Sequence, residues 1–313
     1  MIKKISTLKM TREEWLEHRR HSIGGSDAAT IVGLNPYSSR YELWADKLGK
    51  IPPKEENEAM RIGHDLEEYV AQRFCEATGK RVRRENSILT NTDIPFAHAN
   101  VDRIVIGEKA GLECKTTSVL NLKRFAGGEY PPNYYVQCQH YMMVTGYKVW
   151  YLAVLVLGRE FLWFEVKRCD EDIEALRAAE QDFWELVEKQ EAPAVDGTDS
   201  CGDTLDKLYP DSDPDVDIDL TAVSDALRQR SELCRQIKAL EEQKKACENS
   251  VKDYMETAER GLCDGFKVSW KSQQRIAFDS KQLQADHPEI DLSKYCKTTS
   301  SRIMRITEVK DNG

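Results

Sequence analysis

No long uncharged apolar run occurs anywhere in the sequence, so no segment reads as a membrane span. There is no Cys-x-x-Cys pair either. The nine cysteines are scattered, which argues against a zinc site or a disulfide scaffold and for reduced thiols in a cytoplasmic setting. The opening Met-Ile-Lys-Lys leads into mixed polar residues, without the apolar stretch of a secretory signal. A basic balance is also missing: the net charge is -9. That deficit is uneven, because Lys and Arg outnumber Asp and Glu by about four through Arg168, and the acidic surplus belongs to the remainder. With 313 residues, the chain is long enough for one large or two ordinary domains.

What is present centres on Asp102 to Lys115. Val101 to Ile106 is β-branched and apolar enough for a strand, Gly107 to Gly111 supplies turn residues, and Leu112 to Thr117 returns as a second strand. Alternation points Glu113 and Lys115 to one face and Cys114 into the opposite layer. Asp102 and Glu113 offer hard oxygen ligands to Mg²⁺ or Mn²⁺, and Lys115 adds positive charge where a phosphodiester would be attacked. Taken alone, this stretch also fits a surface hairpin with a cross-strand ion pair.

Thr11 to Arg20 reads as a helix with Thr11 capping and Glu14 at the capping-box position. It leads into Ile23-Gly24-Gly25-Ser26-Asp27 and a short helix, Ala28 to Val32. The turn amides and the Ser26 hydroxyl suit a phosphate, with Arg19 as a bidentate partner. A plain helical corner needing glycine for its geometry accounts for the same residues. Leu43 and Trp44 are core candidates. Glu58 to Thr78, closed by Gly79, is a second helix whose Ile62, Leu66, Tyr69, Val70 and Phe74 face the core, while Glu67 lies one turn from Gly63.

Arg81 to Leu89 reads as a strand, and Ala97 to Ile106 as the first arm of the central hairpin. Asn121 to Asn133 is loop-like. In the helix Tyr134 to Thr145, Gln137 and Tyr141 share a face, where an amide beside a metal site would orient water or bind a phosphate oxygen; a plain polar helix face accounts for the same residues. Lys148 to Leu157 and Arg159 to Lys167 form a hairpin around Gly158. Asp170 to Gln190 is an amphipathic helix.

In this order, Trp15-x-x-x-Arg19, Ile23-Gly-Gly-Ser-Asp, Gly63-x-x-x-Glu67, Val101-Asp102, Leu112-Glu-Cys-Lys-Thr and Gln137-x-x-x-Tyr141 resemble the PD-(D/E)xK nucleases. Within them, the chain is similar to the phage lambda exonuclease and YqaJ viral recombinase family, over about residues 10 to 168. The resemblance implies an α/β, restriction-endonuclease-like core with a mixed central sheet flanked by helices. It implies that Glu67, Asp102, Glu113 and the Cys114 carbonyl hold metal, as two Mg²⁺ or Mn²⁺ ions per site. Lys115 would be the catalytic lysine, Gln137 and Tyr141 would assist at the nucleophile, and Arg19, Ser26 and Asn100 would receive a 5′-phosphate. Asn100 departs from the small polar residue usual there. The implied activity is 5′-to-3′ digestion of linear double-stranded DNA, leaving 3′ overhangs for a single-strand annealing protein, by a bacterial or prophage-encoded cytoplasmic homotrimer. A structure-selective endonuclease using the same residues and a non-catalytic DNA-binding descendant are the alternatives; the cysteine pattern disfavours an iron-sulfur nuclease.

The expected organisation is a nuclease domain over 1–190, an acidic linker over 191–220 and a long-helix and small β module over 221–313. The Asp-rich tract after Pro210 lacks the glycine and final glutamate of an EF-hand. Leu233, Ile237, Leu240, Cys247, Val251 and Tyr254 recur at three- and four-residue steps within a helix from about Ala222 to Arg260, which suits a coiled coil, an oligomer contact or one limb of a helical hairpin. Segments around Phe266 to Trp270 and Arg302 to Val309 suggest a small β element. This tail is expected to dock a partner or guide DNA; an appendage that serves stability alone accounts for the same residues.

Overall fold

A computed structural model describes residues 1–297 and 302–307, and the chain divides into two units, Met1–Pro210 and Asp211–Gly313. In the first, β1 (Ile2–Ser6) precedes three helices, α1 (Arg12–Arg20), α2 (Gly25–Ile31) and α3 (Arg40–Lys47). The Thr11 capping box forms as its sequence requires, with Oγ1 accepting from Glu14 N–H at 3.2 Å and the Glu14 carboxylate accepting from Thr11 N–H at 2.8 Å. Helix α4 (Glu58–Thr78) stops at Gly79, whose φ of 70° is the left-handed conformation that ends helices. Of its expected core face, Val70 and Phe74 are buried, Ile62 and Leu66 are half-buried and Tyr69 is exposed. Tyr69 instead accepts a hydrogen bond from Arg73 on the same helix.

Two strands stand where one was expected between Arg81 and Leu89: β2 (Val82–Arg84) and β3 (Ser87–Asn91). The expected first hairpin arm also divides, into β4 (Ile94–Ala99) and β5 (Arg103–Val105). The halves enter different sheets. Strand β4 joins an antiparallel β1-β3-β4 sheet, whereas β5 pairs with β6 (Ala110–Thr117). Asp102 lies at the break between them.

After β6, a 3₁₀ segment over Val119–Gly128 occupies part of the expected loop, and α5 (Pro132–Thr145) begins two residues early with proline in its first turn. The chain then returns as β7 (Val149–Val156), parallel to β6, and β8 (Glu160–Lys167), antiparallel to β7. The resulting five-stranded mixed sheet runs β2-β5-β6-β7-β8. Because strand residues alternate, Leu112, Tyr151 and Ala153 pack with Val70, Ala71 and Phe74 of α4, while Leu152 and Val154 pack with Cys138 and Met142 of α5. Gly111 is required by close approach: a Cβ there would lie 2.2 Å from the Trp150 ring.

Helix α6 (Asp170–Lys189) buries Ile173, Leu176, Phe183 and Val187. The expected acidic connector is interrupted by α7 (Asp199–Leu208), capped by Thr198. Cys201 of α7 joins a cluster with Tyr41, Leu43, Trp44 and Phe183, so this segment belongs to the first unit.

In the second unit, α8 (Ser224–Met255) ends five residues before the expected limit, and β9 (Arg260–Cys263) pairs with β10 (Phe266–Ser269). A short helix, α9 (Ser280–Asp286), follows. Residues 302–307 form no strand, and the remainder of the Arg302 to Val309 expectation lies outside the described residues. Among the described residues no helix is long and apolar enough to cross a membrane.

Candidate active site

Strand β6 and helix α5 bring the central side chains together. Glu113 and Lys115 face α5 from alternate positions on β6, and the Lys115 ammonium lies 2.6 Å from Glu113 Oε1. Gln137 donates from Nε2 to that same Oε1 and to the Tyr141 hydroxyl, both at 2.8 Å. Two donors therefore converge on one carboxylate oxygen. The other, Glu113 Oε2, is buried without a partner. Such an orphaned anionic oxygen is costly unless something else satisfies it.

Asp102 is held beside this group by the backbone of the same strand: Cys114 N–H donates to Asp102 Oδ2 at 2.8 Å. Burial raises the Asp102 pKa well above the ordinary carboxylate range, and the Glu113 and Glu67 charges add to the effect, against Lys115. Burial opposes the charge on Lys115, but Glu113 and Asp102 outweigh it and hold the amine protonated. Its ammonium also lies 5.3 Å from the Tyr134 ring centroid.

Glu67 approaches from α4, which packs on the other face of the sheet. It is held there by Arg103, whose buried guanidinium donates to Glu67 Oε1, to the Asp102 carbonyl and to Glu68. Among the described residues no three His, Cys, Asp or Glu side chains are grouped so as to hold a metal ion. The expected trio is thus only partly assembled: Asp102 and Glu113 are neighbours, while Glu67, near enough to raise the Asp102 pKa, is paired with Arg103. Cys114 engages Asp102 through its amide, and its carbonyl lies within β6 where that strand runs alongside β7. The donor set nevertheless suits a hard divalent cation, since three carboxylates outnumber the two cations among them and one buried oxygen is unpaired.

The candidate phosphate group lies on α1 and α2. Arg19 stacks on Trp15, with 4.9 Å to the ring centroid, donates to Ser26 Oγ at 2.9 Å and approaches Asp27 at 3.4 Å. Asp27 occupies one of the turn amides, its Oδ2 accepting from Gly24 N–H at 2.9 Å. Asn100, half-buried just beyond β4, makes no side-chain hydrogen bond to Arg19 or Ser26.

Tyr141 connects the two groups. A Cβ on Gly25 would meet the Tyr141 ring at 2.5 Å, so α2 can lie against α5 only with glycine at this position. The ring that receives Gln137 therefore also supports the turn bearing Ser26.

Beneath Arg19 is a polar network that pattern alone did not show. Lys47, buried on α3, donates to the Arg19 and Ser22 carbonyls at 2.6 and 2.8 Å and to Asp27 at 2.7 Å. Burial opposes ionisation of Asp27, but Lys47 and Arg19 prevail and hold its pKa below the usual range. His98 Nδ1 lies 2.8 Å from Ser22 Oγ, and burial together with Lys47 pushes its pKa down to about 3. His140 bridges the His98 carbonyl and Glu180 at 2.8 and 2.7 Å. Sequence marked Asp27 only as part of its glycine motif, and nothing in spacing tied Lys47 or Glu180 to it.

A model of the YqaJ-like viral recombinase domain matches residues 14–148. YqaJ of Bacillus subtilis (strain 168) is 42% identical over 306 residues, covering 96% of each chain. An alkaline exonuclease from Laribacter hongkongensis is similar in structure at 21% identity, with a TM-score of 0.49 and coverage of 57% of this chain and 94% of that one. A phage related exonuclease from Haemophilus somnus 129PT is similar at 14% identity and a TM-score of 0.41, covering 56% and 99%. On its likeness to YqaJ along nearly the whole length of both chains, this chain belongs to the YqaJ-like viral recombinase family.

Proposed function

We propose that the chain is a divalent-metal-dependent deoxyribonuclease that removes nucleotides from the 5′ ends of linear duplex DNA and exposes 3′ strands for a single-strand annealing protein. The observation that carries this reading is the division of labour on Glu113: Lys115 and Gln137 occupy one oxygen, while the other is buried and unpartnered beside Asp102. Family membership supports the same chemistry.

Asp102 and Glu113, joined by Glu67 on release from Arg103 and by the Cys114 carbonyl, would hold one or two Mg²⁺ or Mn²⁺ ions. Such ions, when bound, lower the pKa of water and shield the phosphate charge that repels a nucleophile. Lys115 stays protonated and presents positive charge where charge develops in the transition state. Gln137 fixes the Glu113 carboxylate, and Tyr141 holds the Gln137 amide in place. Arg19, with about 30% of its side chain exposed, and Ser26 receive a terminal 5′-phosphate. Asn100 is the third group that the resemblance assigns there, and it follows β4, which runs beside Ile23 through a backbone bridge at Ala97.

A closed ring of three copies, the arrangement implied by the resemblance, would keep such an enzyme on its duplex. The nine unpaired cysteines support work in the cytoplasm. The test is digestion of linear duplexes labelled at either end, with and without 5′-phosphate and Mg²⁺, beside covalently closed circles. Loss of label first from phosphorylated 5′ ends, only with the ion and with circles left intact, is expected. Cleavage of closed circles would replace this reading with an endonuclease.

A further inference from the structure

Helix α8 is exposed along almost its full length, and only Met255 within it is buried. Exposed Leu233, Ile237, Leu240, Cys247, Val251 and Tyr254 are spaced alternately by three and four residues, apart from one gap that Lys244 fills; Arg230 extends the series at its start. This is the spacing of a coiled-coil seam. A helix whose apolar seam faces water gains little from packing, and packing is the usual source of helix stability in proteins. Ile306 shares a cavity of about 290 Å³ with Arg230, Ser231, Cys234, Arg235 and Lys238. All of these helix residues except Arg230 lie off the seam, so this contact does not cover it.

We propose that the seam of α8 pairs with α8 of a second copy of this chain, in antiparallel orientation. Charge decides the occupant and its direction. A parallel in-register pair would stack Arg230 on Arg230 and Lys244 on Lys244 inside the interface, with glutamines flanking them and no acid to compensate. Running the second helix the other way about a twofold axis near Glu242 removes both clashes. Tyr254 of the second copy then faces Arg230, a cation over an aromatic ring. Leu233 meets Val251, Ile237 meets Cys247, and the stem of Lys244 covers Leu240. The Lys244 ammonium comes level with Glu241 of the second copy, giving two ion pairs related by the axis. Its existing pair with Glu248 on the same helix is 3.6 Å long and solvent-exposed, so little holds it back.

The pairing is independent of nuclease activity, and all 313 residues are kept in the variants that test it. Ile237→Cys places a thiol opposite Cys247 of the second copy. Mild oxidation should give a dimer on a non-reducing gel, with a 237-to-247 linkage by mass spectrometry, and adding Cys247→Ser should abolish it. In sedimentation, Leu240→Glu should halve the mass of the assembly, a dimer falling to single chains or, where rings of three form, a pair of rings falling to single rings. Lys244→Glu should weaken association by on the order of tenfold by opposing two acids to Glu241, and adding Glu241→Lys should restore it. A Cys247-to-Cys247 linkage in the unaltered chain would overturn the antiparallel arrangement. An unchanged mass in Leu240→Glu, together with no linkage between copies in Ile237→Cys, would overturn the pairing itself.

Discussion

Asp102→Asn separates the two contributions that the acid cluster makes. Asparagine keeps an oxygen to accept from Cys114 N–H, as Asp102 Oδ2 does at 2.8 Å, but it removes the charge. In the native site Lys115 is committed to Glu113 and Arg103 to Glu67, leaving Asp102 with a backbone donor and two acidic neighbours. Its pKa is raised, so the folded protein holds the proton longer than the unfolded chain does, and stability falls as pH rises from about 4 through the folded pKa. At pH 8 and without divalent ions, the variant should therefore be more stable than the native protein, by about 1–3 kcal/mol, the range for a buried polar group lacking its partner. With Mg²⁺ or Mn²⁺ at a hundredfold excess over Kd, the native protein should gain about 2.7 kcal/mol. For a unit of this size that is a rise in Tm of roughly 5–10 °C. The variant should lose most of that rise. Thermal melts with EDTA and with added ion provide the measurement. A variant that is less stable in EDTA yet keeps the full ion-dependent rise would refute the reasoning about this cluster.

Three further outcomes follow from other parts of the molecule. Arg19→Ala should reduce the preference for 5′-phosphorylated over 5′-hydroxyl ends by roughly tenfold or more, the loss of a charge-assisted contact of about 1.5–3 kcal/mol; competition between the two duplexes measures it, and an unchanged preference removes Arg19 from that role. Gly25→Ala should cost about 1–3 kcal/mol through collision with Tyr141, less up to about 1 kcal/mol from better helix propensity. Denaturant melts should show the collision relieved when Tyr141→Leu is added, and strict additivity would contradict it. His98 stays neutral in the fold down to about pH 3, while the unfolded chain takes up a proton near pH 6.5, so acidification across that interval favours unfolding at up to about 1.4 kcal/mol per pH unit. His140, with its raised pKa, contributes fully below pH 6.5, and Asp27, with its lowered pKa, begins to lose its contribution only below 3.8. Glu180 works in the opposite sense, its pKa raised by burial. Comparison of acid melts with those of His98→Gln therefore isolates the imidazole: the variant should show the shallower slope, and an equal slope would contradict the assignment.

Periodicity and capping made α1, α4, α6 and the β7/β8 hairpin legible because each carries its own local signals, such as the Thr11 and Glu14 box or Gly79 in the left-handed conformation. The break at Asp102 was not legible: Ala97 to Ile106 is continuously apolar enough for one strand, and only tertiary pairing assigns its halves to different sheets. Likewise α7 lies in a polar segment whose burial against α3 depends on distant partners. Within the site, alternation on β6 and one-turn spacing on α5 predicted that Glu113 and Lys115 share a face and that Gln137 and Tyr141 share another. Arg103 was missed, although it adjoins Asp102, because a charged residue in a short strand gives no sign that it will be buried on the opposite face and pair with Glu67. Lys47 was missed for a similar reason. Its role depends on the Arg19 and Ser22 carbonyls, which no side-chain pattern encodes.

The proposed hydrolysis requires Glu113 and Lys115 to act as one unit with their acidic neighbours. The direct measurement is single-turnover digestion of a 5′-phosphorylated linear duplex by the native chain, Glu113→Gln, Lys115→Ala and the double variant. Both single variants should fall to the same background as the double, because removing either member disables the unit. Full activity in either single variant, or losses that simply multiply in the double, would contradict it.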